Sequence, residues 1–81
     1  MRIENLRDEK VIELKERYGE LIGGYDLAKL MGYRSTASFR QALSRNQISI
    51  PIFSIENRKG KFAYTSDVAK WLKDLNHKET L

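Results

Sequence analysis

Gly32 is the position that most constrains this chain. It lies between two short segments of helical periodicity, and it permits the positive φ of a sharp turn. Ala28, four residues earlier, is small enough to let a following helix approach closely. The segment before the glycine reads as a helix from about Gly24 to Met31. Leu27, Leu30 and Met31 face inward, and Asp26 sits in the first turn, where the helix dipole favours an anion. Tyr33 and Arg34 then make a tight turn. Ser35 or Thr36 caps a further helix to about Arg45, and Asn46 takes the left-handed position that glycine often fills. Phe39, Ala42 and Leu43 share one face of that helix, while Arg40, Gln41, Ser44 and Arg45 point away.

The flanking segments complete one small domain, the most that 81 residues hold. Residues 5–19 read as a support helix, with Asn5 as cap, Asp8 as its approximate capping box and Gly19 as stop. Leu6, Val11, Leu14 and Tyr18 form its apolar stripe, and Glu13 with Arg17 an outer i, i+4 pair. Leu21 to Gly24 reads as a short apolar run and a loop. No Gly-Lys-Ser/Thr follows the glycine pair, so a phosphate-binding loop of the Walker type is excluded. Residues 50–64 read as a hairpin: Ile50 to Ile55 is one arm, with Pro51 at its start or edge. Asn57-Arg58-Lys59-Gly60 is the turn, and Lys61 to Tyr64 the second arm. Thr65 or Ser66 caps a last helix over 65–75 with Val68, Trp71, Leu72 and Leu75 inward, and 76–81 is a fraying tail. Phe39, Phe62, Tyr64 and Trp71 are expected in the core, with Phe39, Leu43, Trp71 and Leu72 buried together. The fold class is mainly α with a small β-hairpin.

The chemistry available is narrow. There is no cysteine, so disulfides, zinc fingers and thiol nucleophiles are out. His77 stands alone beyond the last helical turn, without a second metal ligand. No carboxylate sits beside a base or ligand set, so no enzymatic activity and no cofactor are expected. The charged N-terminus is not a signal peptide, and no apolar run suits a membrane span, which points to the cytoplasm. Charge is unevenly spread. Residues 27–64 carry seven basic groups against one acid, Glu56, whereas residues 1–26 carry five basic and seven acidic. A cationic middle between neutral or acidic ends argues for an anionic partner facing the middle.

Two short helices joined at a glycine make a helix-turn-helix, and the ribbon that follows makes a wing. Where strict spacing wants apolar residues, the second helix of the pair has Ser38 and Gln41. The apolar residues come one later, at Phe39 and Ala42, so the turn is longer by one residue. Gly24-Tyr25-Asp26-Leu27-Ala28-Lys29-Leu30-Met31-Gly32-Tyr33, then Phe39-Arg40 with Ala42-Leu43-Ser44-Arg45-Asn46, then Ser66-Asp67-Val68-Ala69-Lys70-Trp71-Leu72, resembles the MerR-like, excisionase-type winged helix-turn-helix domains of phages, plasmids and mobile elements. The resemblance spans residues 21–75. It implies that helix 36–45 enters the major groove of DNA and that a wing at 55–62 touches the backbone or minor groove. Asn46 stands where that family usually has glycine, and the first helix is an addition to its minimal domain.

Residue chemistry gives each position a role on double-stranded DNA. Arg40, Gln41 and Arg45 suit base edges, because arginine bridges guanine O6 and N7 and glutamine bridges adenine N6 and N7. Arg34, Ser35, Thr36 and Ser38 cluster at the start of the reading helix, where hydroxyls and backbone N–H groups suit phosphates or base edges. Arg58, Lys59 and Lys61 suit the phosphate backbone or minor groove. The reading is a sequence-specific DNA-binding protein, a transcriptional regulator or excisionase-like accessory factor. A homodimer or cooperative oligomer on DNA is expected, through the first helix or the tail. The alternative is a small protein-interaction module, an adaptor or inhibitor, on the same scaffold. RNA is disfavoured, because the strands are read as lacking paired surface aromatics.

Overall fold

The order of elements is α1 (Ile3–Tyr18), β1 (Leu21–Gly23), α2 (Gly24–Leu30), α3 (Thr36–Ser44), β2 (Phe62–Tyr64) and α4 (Thr65–Glu79). These come from a computed structural model that describes the backbone of residues 3–79 and the side chains of residues 9–75. The protein is mainly helical, with a two-stranded antiparallel sheet. Among the described residues, no helix is long and apolar enough to cross a membrane.

The strands pair differently from the expected hairpin. β2 lies against β1, in the register Leu21 to Tyr64, Ile22 to Ala63 and Gly23 to Phe62. The 50–55 arm contributes a single bridge, in which the Phe53 and Phe62 backbones exchange hydrogen bonds of 2.9 and 2.8 Å. Two physical causes act on that arm. Pro51 has no N–H to give to a ladder. Ile48, Ile50 and Ile52 turn their side chains onto the core, which holds the segment down as an extended cover. The residues expected as an apolar run and loop, Leu21 to Gly23, supply the strand instead.

The core gathers at the meeting of α2, α3, α4 and the inner face of the sheet. Ile22, Leu27, Ala28, Met31, Phe39, Ala63 and Val68 form one cluster, with Trp71 and Leu72 packed half-buried against it. Tyr33 meets Phe39 edge to face, with centroids 5.7 Å apart. Leu43, Phe62 and Tyr64 depart from the expected core: Leu43 is half-buried, Phe62 is half-buried outside the cluster, and Tyr64 is 53% exposed. Leu75, expected inward, is also exposed.

α1 packs chiefly on α4. Leu14 is its buried contact, with Val11 and Tyr18 half-buried beside it. The helix begins at Ile3, so Asn5 lies within it and does not cap it. Lys10, not Arg17, reaches Glu13, at 3.9 Å. Its end is fixed by an αL cap: Gly19, at φ 87, donates its N–H to the Lys15 carbonyl. Thr65 then ties α4 to this corner. Its buried hydroxyl donates to the Gly19 carbonyl at 2.6 Å and its N–H to the Glu20 carbonyl at 2.9 Å, so Thr65 clasps α1 instead of capping α4. α4 also continues to Glu79, past the expected end at residue 75. The expected roles of Leu6, Asp8 and His77 fall outside the described side chains, and residues 80 and 81 outside the described backbone.

Candidate nucleic-acid interface

α2 and α3 end on the same device. At the end of α2, Tyr33 N–H reaches the Ala28 carbonyl and Gly32 N–H the Lys29 carbonyl, with Gly32 at φ 94. At the end of α3, Gln47 N–H reaches the Ala42 carbonyl and Asn46 N–H the Leu43 carbonyl, with Asn46 at φ 60. Both are Schellman motifs, one turning on glycine and one on the residue that best tolerates the left-handed region after it. Five residues, Met31 to Ser35, separate the two helices. That length rotates α3 so that Phe39 and Ala42 are buried, and it leaves Arg40 and Gln41 exposed.

Ser35 is the cap of α3. Its hydroxyl accepts from the Ser38 backbone N–H at 3.1 Å and donates to the Ser38 hydroxyl at 3.2 Å. The two serines are therefore partly occupied with each other, and Thr36 is the residue of this turn that lines the groove beside it.

That groove, of about 300 Å³, is lined by Gly24, Thr36, Phe39, Arg40, Lys59, Gly60 and Lys61. It runs between the first turns of α3 and the tip of the 54–61 loop, and no acidic side chain lines it. Backbone contacts hold the tip there. Gly24 N–H donates to the Lys61 carbonyl at 3.2 Å, and a Cβ on Gly60 would lie 4.0 Å from the Gly24 Cα. Within the loop, Arg58 N–H closes a turn on the Ile55 carbonyl, with Asn57 at φ 67. The Lys61 ammonium donates to the Ser54 hydroxyl at 3.2 Å, which pins its stem along the loop.

Of the residues picked out by sequence, the groove unites Thr36, Arg40, Lys59 and Lys61. The others do not line it. Arg34 is exposed in the turn, Gln41 lies on the outer face of α3, and Arg45 sits at its C-cap. Arg58 lies over the Phe62 ring, 5.8 Å from its centroid. Gly24 and Gly60 escaped the sequence reading as site residues. They stand at φ 60 and 92, and that backbone geometry carries no side-chain signal.

The sheet's outer face also differs from expectation. Phe53, Phe62 and Tyr64 share it, with the Phe53 and Tyr64 rings 5.2 Å apart, so paired surface aromatics are present. Among the described residues, no group of three or more His, Asp or Glu side chains comes together to hold a metal ion. No family model, curated protein or solved structure matches this chain.

Proposed function

We propose that this protein is a sequence-specific binder of double-stranded DNA of the winged helix-turn-helix kind. It acts as a transcriptional regulator or as an excisionase-like accessory factor, without enzymatic activity. The observation that carries the reading is the groove that sets Thr36 and Arg40 of α3 beside Lys59 and Lys61 of the loop, free of acids. In this reading α2 and α3 are the helix-turn-helix pair, α3 lies in the major groove, and the 54–61 loop is a wing reduced to one bridge at its base. Arg40 and Gln41 face base edges, while the loop lysines and the α3 N-terminus hold phosphates. Helix α1 packs chiefly on α4 and supports the domain there. One such surface reads a short site, so two copies acting together on adjacent sites are expected.

Binding to duplex DNA should be strongly salt-dependent. With three to five cations neutralising phosphates, log K against log salt should fall with a slope of about −3 to −5. A titration of duplex across salt concentrations measures this. Absence of duplex binding at low salt, or a flat dependence, would instead favour a protein-interaction module.

A further inference from the structure

We propose that the outer face of the β1–β2 sheet is a stacking site for an unpaired base of single-stranded DNA. Strand alternation sends Ile22 and Ala63 into the core and turns Phe62 and Tyr64 to the opposite side. The bridge at Phe62 brings Phe53 alongside, and its ring leans on Tyr64 with centroids 5.2 Å apart and planes tilted by 51°. Phe62 has a structural duty, because its ring closes over Gly23, where a Cβ would come within 2.4 Å of it. Tyr64 has none of that kind. It is 53% exposed in a domain that needs its aromatics for burial.

Charge identifies the occupant. Arg58 lies over Phe62, whereas Lys59 and Lys61 of the same loop line the groove toward α3. An apolar peptide would use the rings and leave this cation idle. A single strand uses both, since its bases stack on aromatic faces while a phosphate meets the arginine. The choice of DNA over RNA rests on the duplex reading of the adjoining groove, which is built on the same 54–61 loop. The stacking itself does not rest on it.

The test is a fluorescence-anisotropy titration of a short labelled oligothymidylate, an abasic strand of the same length and an oligouridylate, at low salt. The oligothymidylate should bind roughly five- to a hundredfold more tightly than the abasic strand. Tyr64→Ala should erase that difference, Tyr64→Phe should keep it, and both should leave duplex binding unchanged. Equal binding of the native and abasic strands to the unaltered protein would overturn the stacking site, with no variant needed. Tighter binding of the oligouridylate would overturn the choice of DNA. The duplex titration bears on the proposed function alone, and the native-to-abasic ratio on this site alone.

Discussion

Gly23 shows how one atom decides a strand pair. Its backbone is extended, so the glycine is not there for a special φ. It is there because Phe62 occupies the space: a Cβ would meet two ring carbons at 2.4 and 2.6 Å and the Lys61 carbonyl at 2.9 Å. A ring packed on a cross-strand glycine protects a strand too short to protect itself. Gly23→Ala must push the ring or the 61–62 backbone aside. It should destabilise the protein by about 1–3 kcal/mol, read as a shift in the urea midpoint. An unchanged midpoint would show that Phe62 swings away freely and that the glycine is not required. In the sequence Gly23 reads only as part of a loop, because a glycine kept for cross-strand clearance looks no different from one kept for a turn.

Element ends were more legible than element partners. Gly19, Gly32 and Asn46 each announced a helix stop, and each stands at a positive φ just past a helix. These signals are local: a residue that tolerates the left-handed region, preceded by last-turn carbonyls that need donors. Ser35 was legible as one of two candidate caps for the same reason. Strand pairing is not local. Nothing within 61–64 tells whether its partner is 50–55 or 21–23, and the sequence favoured the nearer segment. Pro51 and the inward isoleucines decided against it. The aromatics divided similarly. Phe39 reads inward from helical spacing, whereas Tyr64 turns outward because Ala63 is the β2 residue facing the core. The α3 end offers a clean check. Asn46 sits at φ 60, so Asn46→Gly should leave stability unchanged or slightly raised. Asn46→Ala should cost about 1–2 kcal/mol, compared by chemical unfolding. Equal stability of the alanine and glycine variants would mean that the left-handed turn is not retained in solution.

At the scale of the molecule, charge is sorted by position in the fold. The chain extends over 42 × 29 × 18 Å, and its first helix, with five acids against four bases, packs on α4, while the groove draws its cations from α3 and the 54–61 loop. The cationic middle was visible in the sequence. Its convergence was not, because the loop that carries Lys59 is held beside α2 and α3 by a backbone bond, from the Gly24 N–H to the Lys61 carbonyl. Of the four groove residues foreseen, the two lysines and the arginine were legible as charge, and Thr36 as a cap alternative that Ser35 filled. The measurement that bears most directly on a DNA-reading α3 is a pair of competition titrations, with Arg40→Ala and Lys59→Ala, on a selected duplex and a scrambled one. Arg40→Ala should cost roughly 1–3 kcal/mol on the selected duplex and little on the scrambled one. Lys59→Ala should weaken both alike and make the salt slope shallower by about 1, because a phosphate carries no sequence information. Equal weakening of both duplexes by Arg40→Ala would contradict base reading by α3.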